Sequence, residues 1–396
     1  MISLGIEQLL TSSAHLLKGK RFAFLTHAAA CVRSGSSSLA EIMAFFPGQL
    51  QVVWSPQHGF YGVKQANMIP SADFLDPLTG IPVRSLYGDR RRPSREMFTG
   101  IDLVLVDLVD VGCRVYTYLW TLVLVMQAAA EAGVPVMVLD RPNPLGGERV
   151  EGNLLKPENA SFVGLYPLPM RHGLSLGELA RYLNEVYAFG CQLEVMPMTG
   201  WQRKHYADKT DTFWVPPSPN MPTLTTALVY PGQVLFEGTN LSEGRGTTTP
   251  FELWGAPFIE PGRILAEIDL RVSRGVFLRP AYFSPTFDKW FGGTDKAMSP
   301  QVCGGLQIHV TDRRLFQPYL LSLELLRVVM KLYGDQFVWL QPPYEYEDEK
   351  LPIDILTGDE HIRLALENGE DLVSLSESWL PELQEFCQRR QEFLLY

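Results

Sequence analysis

The stretch IDLVLVDLVDVGCRVYTYLWTLVLVMQAAAEAGVPVMVLD, residues 101–140, decides the fold. Ile101 to Asp107 is an aliphatic run of strand length, Tyr118 to Ala132 reads as a helix, and Val134 to Leu139 is a second aliphatic run. Strand, helix and strand in that order make a βαβ unit, which implies a parallel pair. Runs that are apolar at nearly every position belong to strands covered on both faces. Toward the amino terminus the pattern repeats, with strand candidates at Arg21 to Thr26 and Gln51 to Trp54 and a helix at Ser38 to Phe45 between them. Residues 1–152 are therefore expected to form a Rossmann-like α/β domain around a parallel sheet. No GxGxxG follows the first strand, and Gly146-Gly147 sits in a proline-bounded turn, so no dinucleotide or other cofactor is expected.

After Gly152 the character changes. Prolines and aromatics thicken through Phe213 to Pro222, and strand candidates such as Val276 to Leu278 and Leu306 to Val310 stop alternating with helices. A second, α+β domain is expected over residues 153–396. Helices are expected at Leu176 to Ala188, where Ser175 and Glu178 have capping-box spacing, and at Pro318 to Tyr333. Ser378 to Leu395 reads as a terminal helix with Pro381 in its first turn.

A chain of 396 residues with 46% hydrophobic residues can fill more than one core. Its formal charge of -10 argues against nucleic-acid or anionic-membrane partners, which reward basic patches. The one basic run, Arg90-Arg91-Arg92 with Arg95, reads as a solvated loop. No apolar run is long enough to cross a bilayer, and the amino terminus lacks a basic-then-apolar signal pattern. Five widely spaced cysteines without a CxxC read as reduced thiols, and a cytoplasmic protein is expected. His58 and His172 invite a metal reading alongside Asp107 and Asp140, but no close-spaced His pair or Cys cluster supports it, so no metal is expected.

Function is expected at the polar ends of the apolar runs, where open parallel sheets bind ligands. Val52 to Trp54 leads into Ser55-Pro56-Gln57-His58-Gly59. Ile101 to Val106 leads into Asp107, Asp110, Arg114, Tyr116 and Tyr118, and Val134 to Leu139 into Asp140-Arg141-Pro142-Asn143-Pro144. A fourth segment, FEGTNLSEGRGTT at Phe236 to Thr248, packs carboxylates, an amide and an arginine around three glycines, and reads as a ligand-binding loop.

Together these segments resemble the exo-acting β-N-acetylmuramidases, a bacterial glycoside hydrolase family formerly described as a domain of unknown function. The resemblance runs through SPQHG at Ser55 to Gly59, DPLTGIPVRSLYG at Asp76 to Gly88 and DVGCRVYTY at Asp110 to Tyr118. It continues in VLDRPNPLGGERVEG at Val138 to Gly152, PMRHG at Pro169 to Gly173, VPPSPNMPT at Val215 to Thr223, the Phe236 segment, and CGGLQIHVTD at Cys303 to Asp312. It implies release of terminal N-acetylmuramic acid from peptidoglycan fragments, with a muropeptide or amino-sugar glycoside as substrate. The family usually carries a glutamate in SPEHG, where this chain has Gln57, an amide that can position a substrate but cannot transfer a proton.

Glycoside hydrolysis needs two carboxyl groups. Glu237 is the first candidate for the acid and Asp110 or Asp140 for its partner, with His58 as a possible proton relay beside Gln57. Arg114, Arg171 and Arg245 have the chemistry to bind the lactyl carboxylate bidentately. Tyr116, Tyr118, Asn143, His172, Asn220 and Asn240 complete the expected substrate contacts. The alternative is a binding or sensing protein that kept the cleft and lost the acid at Gln57.

Overall fold

Alternate residues of the first strand serve two cores. Phe22 and Phe24 of β1 (Phe22–Thr26) pack on one side with the helices Gly5–Ser12 and Ser38–Phe45, whereas Ala23 and Leu25 face the other side with the helix Tyr118–Ala132. Covering both faces is what the continuous aliphatic runs require. The computed structural model describes residues 2–292 and 301–396.

The strands follow as β2 (Leu50–Ser55), β3 (Phe74–Leu75), β4 (Pro82–Ser85), β5 (Leu103–Asp107), β6 (Val136–Leu139), β7 (Glu151–Leu154), β8 (Pro169–Arg171), β9 (Leu193–Met196), β10 (Leu253–Ala256), β11 (Val276–Phe283) and β12 (Cys303–Val310). Seven form one sheet in the order β3-β4-β2-β1-β5-β6-β9, parallel except for the antiparallel edge strand β3. The order reverses between β1 and β5, so the loops after the strands on either side of that point meet above the sheet. A second, antiparallel sheet of β10-β12-β11 carries the α+β part, and β7 pairs with β8.

The expected architecture of a Rossmann-like sheet followed by an α+β domain is what the chain forms. The parallel sheet, however, does not end at residue 152: that position lies inside β7, and β9 adds the last strand from further along. The Ser175 capping box is present, with Ser175 Oγ accepting from the Glu178 amide at 3.2 Å and Glu178 Oε2 accepting from the Ser175 amide at 2.9 Å. Its helix, Leu176–Val186, ends two residues before the expected Ala188. The last helix is shorter than the Ser378 to Leu395 reading: it spans Leu380–Arg389 and tightens into a 3₁₀ turn at Arg390–Phe393. No helix among the described residues is long and apolar enough to cross a membrane.

Candidate active site

β2 delivers the chain to Pro56 and Gln57, and the two residues after Gln57, His58 and Gly59, both adopt left-handed backbone with φ of 69° and 76°. This turn drives the Gln57 side chain inward, where it is buried. Thr117 Oγ1 donates to Gln57 Oε1, and Gln57 Nε2 donates to Tyr87 OH at 2.8 Å and to Glu345 Oε1 at 3.1 Å. An amide nitrogen facing a carboxyl oxygen works as a donor, which fixes the orientation of the amide. Tyr87 OH also receives the Met68 amide at 2.9 Å, leaving its own proton for Glu345 Oε2 at 2.8 Å.

Glu345 comes from the far end of the chain. It and Tyr346 take consecutive left-handed conformations, φ 46° and 66°, which non-glycine residues seldom adopt. His58, Met68 and Phe251 around the same cleft do likewise, and such conformations collect where surrounding contacts hold a site in place. Burial pushes the Glu345 carboxyl up to about 7. The Tyr87 hydrogen bond opposes that rise, the charge of Glu237 adds to it, and the Gln57 amide opposes it again.

Glu237 lies in the 3₁₀ turn Val234–Gly238 that follows the helix Leu224–Gln233. That helix can sit where it does because Gly232 has no side chain: a Cβ there would lie 1.9 Å from the Pro318 carbonyl oxygen. Glu237 Oε1 accepts from Arg245, and Oε2 accepts from Asn67 Nδ2 at 2.8 Å and from Tyr344 OH at 2.6 Å. Gly244 and Gly246 flank Arg245 at φ of 76° and 77°, so the loop turns its guanidinium back into the cleft. Burial raises the Glu237 carboxyl, and the Arg245 guanidinium offsets that rise only in part. Glu243 is held low despite burial by Lys289, 3.0 Å away, and by Arg245.

His58 Nδ1 lies 2.6 Å from the Lys64 carbonyl oxygen, and burial holds its pKa down at about 4, so the ring is neutral near pH 7 with Nδ1 as the donor. Tyr116 and Asn220 line the same cleft. The space left among these groups is about 30 Å³. Among the described residues no cluster of three His, Cys, Asp or Glu side chains is placed to hold a metal ion.

Of the residues expected from sequence, the fold brings together Gln57, His58, Tyr116, Asn220, Glu237 and Arg245. The others lie outside the cleft. Asp140, at the end of β6, accepts from Ser175 Oγ at 2.6 Å, the Gly177 amide at 2.8 Å and Tyr396 OH at 2.7 Å, pinning a helix start and the chain end. Burial raises its carboxyl to about 6. Asp110 accepts from the Gly112 amide at 2.7 Å and faces a separate cavity of about 160 Å³ bounded by Arg141, Phe213 and Trp214.

The remaining polar candidates each make at least one backbone hydrogen bond, although Arg114 Nε and Nη1, Arg171 Nε and His172 Nε2 are buried without a hydrogen-bond partner among the described residues. Arg114 is fully buried and donates to the Leu356 and Thr357 carbonyls, both at 2.9 Å. Arg171 donates to the Leu145 carbonyl at 2.5 Å, and His172 Nδ1 accepts the Leu174 amide at 3.2 Å. Asn143 bridges the Leu145 amide and the Leu174 carbonyl, each at 2.9 Å, while Asn240 bridges Gln336 and Val338. Tyr118 lies beneath Gln57 and donates to the Pro217 carbonyl at 2.8 Å. Sequence reasoning missed Glu345, Tyr344, Tyr87, Asn67 and Thr117. Tyr87 and Thr117 stand within the DPLTGIPVRSLYG and DVGCRVYTY motifs, which could have marked them.

Comparison with known proteins gives three agreeing results. Residues 22–225 match the family model described as the N-terminal part of the exo-beta-N-acetylmuramidase NamZ, and residues 228–396 match its C-terminal part. The chain is 40% identical over 396 residues to the peptidoglycan beta-N-acetylmuramidase NamZ of Bacillus subtilis strain 168, covering 100% of this chain and 91% of that protein. Two crystal structures of DUF1343 family proteins from Bacteroides fragilis superpose with TM-scores of 0.86 and 0.76, at 29% and 27% identity. In both, the match covers 100% of this chain and 99% of the other.

Proposed function

Since this chain belongs to the exo-beta-N-acetylmuramidase family, we propose that it is an exo-acting glycoside hydrolase that releases terminal N-acetylmuramic acid from peptidoglycan fragments, with Glu345 as its proton donor. The observation that carries this reading is the Glu345 carboxyl, buried against Gln57 and Tyr87 in the same cleft as Glu237. A general acid works best when its pKa lies near the operating pH, and burial has brought Glu345 there. Glu237 supplies the second carboxyl group that glycoside hydrolysis normally uses. Its two oxygens together accept from three donors, an arrangement suited to the ionised form.

In this arrangement Gln57 positions rather than reacts. Its amide holds Glu345 in place, and the Thr117 hydroxyl holds the amide. Cytoplasmic cell-wall recycling is the setting we assign, supported by five cysteines that are all free.

The test is incubation of the purified protein with a chromogenic N-acetylmuramic acid glycoside and with a muramic-acid-terminated disaccharide, with product identified by mass spectrometry. Release of N-acetylmuramic acid from both supports the hydrolase. Binding of the sugar without turnover selects the sensing protein that Gln57 would suit.

A further inference from the structure

The cleft is closed by its own chain. A strap of residues 60–71 crosses from the turn after β2 and is fastened over the carboxyl groups. Asn67 Nδ2 donates to Glu237 Oε2 at 2.8 Å, the Gln65 carbonyl accepts from Asn220 Nδ2 at 3.3 Å, and the Met68 amide donates to Tyr87 OH at 2.9 Å. A water needs roughly 10–15 Å³ of such space and a benzene-sized ligand about 150 Å³. The 30 Å³ beneath the strap therefore holds water but no sugar ring. For a sugar to reach Glu237, the strap has to lift.

The group at the fastening point has a specific chemistry. Beyond its Cα, asparagine is an acetamide, the unit that an N-acetyl amino sugar carries on its ring. Both present an amide N–H that a carboxylate accepts. The Tyr344 hydroxyl shares the Glu237 oxygen that Asn67 reaches, so this acceptor is already shaped for an incoming N–H donor. Close to its start the strap turns at Gly59 and Gly62, which take left-handed backbone with φ of 76° and 64°.

We infer that the Asn67 carboxamide stands in for the acetamido group of the substrate: the strap closes on Glu237 when the cleft is empty, and an N-acetyl amino sugar enters by replacing Asn67 on the same oxygen. The choice of sugar rests on the muramidase reading; the latch itself does not. Glu237 then selects sugars that carry an amide N–H, and the closed strap lowers apparent affinity by the fraction of molecules in which it is shut.

Two measurements on full-length Asn67→Ala test this. In hydrogen exchange without ligand, the amides of residues 60–71 exchange faster in the variant than in the wild type, with the rest of the protein unchanged. In calorimetric titration, the variant binds free N-acetylmuramic acid about three- to tenfold more tightly, the effect of removing one competing hydrogen bond, and binds deacetylated muramic acid less well than the acetylated sugar. Unchanged exchange overturns the latch. Weaker binding of N-acetylmuramic acid by a variant of normal melting temperature overturns the replacement, because Asn67 would then be a contact to the sugar. Faster exchange together with no binding of either sugar, by wild type or variant, overturns the acetamido assignment and the muramidase reading while leaving the strap's fastening in place.

Discussion

Gln57 Nε2 donates to Glu345 Oε1 across 3.1 Å, joining two residues that lie 288 positions apart in sequence. The family's usual glutamate at position 57 would put two carboxyl groups against each other at that distance. Two carboxyls so close cannot both ionise, and one keeps its proton to unusually high pH. In this chain the amide spares Glu345 a second carboxyl in direct contact, and only the more distant charge of Glu237 still acts on it.

This relationship makes Gln57→Glu informative. The wild-type amide favours ionised Glu345; the substitution removes that donor and adds a like charge, so the retained proton is held more tightly. The alkaline limb of kcat/KM, expected near pH 7 in the wild type, should move upward by about one unit or more in the variant. A profile measured from pH 5 to 9 on both proteins checks this. An unmoved limb would mean that the observed titration is not that of Glu345.

Arg245 carries more charge contacts than any other cleft residue named above. It bonds Glu237, approaches Glu243 at 3.4 Å and Asp288 at 3.9 Å, and has its guanidinium carbon 5.6 Å from the Phe251 ring centre. Arg245→Met leaves Glu237 and Glu243 buried without it. The expected cost is about 3–5 kcal/mol in denaturant unfolding, the range for breaking a buried ion pair from one side. A loss below about 1 kcal/mol would place Arg245 among ordinary surface pairs.

Asp110 permits a prediction of opposite character, because it lies outside the cleft. Burial raises its carboxyl to about 7, and Oδ2 has no hydrogen-bond partner. A raised carboxyl binds more protons in the folded than in the unfolded state, so its stabilising effect is complete below about pH 4 and is lost as pH rises through 7. Asp110→Asn removes that loss while an oxygen remains to accept the Gly112 amide. The melting temperature of the variant relative to wild type should therefore increase between pH 5 and pH 8. A constant difference across that range would show that Asp110 titrates normally.

The parts of this protein that sequence disclosed share a physical cause. The runs at 101–107 and 134–139 are aliphatic because both faces of their sheet are covered, and the helix between them ends at Gly133, which takes φ 70°. Strand β3 has two exposed residues and β9 is a partly exposed LEVM without the continuous aliphatic run that marks β6, so neither announces itself in sequence. In the site, Glu237 and Arg245 were legible because glycines concentrate around them, and Gln57 because it interrupts a familiar motif. Glu345 was not, since no motif or glycine cluster marks QPPYEYEDEK at 341–350, and only the fold brings it against Tyr87. Asp140 and Arg114 lie outside this cleft for a related reason: carboxylates and guanidiniums also serve to tie off backbone, and only tertiary contacts separate the two uses.

The most direct measurement is the turnover of Glu345→Gln on the chromogenic N-acetylmuramic acid glycoside, made beside calorimetric binding of free N-acetylmuramic acid. Glutamine keeps the shape and cannot give a proton. With Glu345 as proton donor, kcat falls by about 10² to 10⁴, the usual contribution of one positioned acid, while sugar affinity stays within about threefold of wild type. Full turnover by a folded Glu345→Gln protein would contradict this assignment and return the proton donor to another residue.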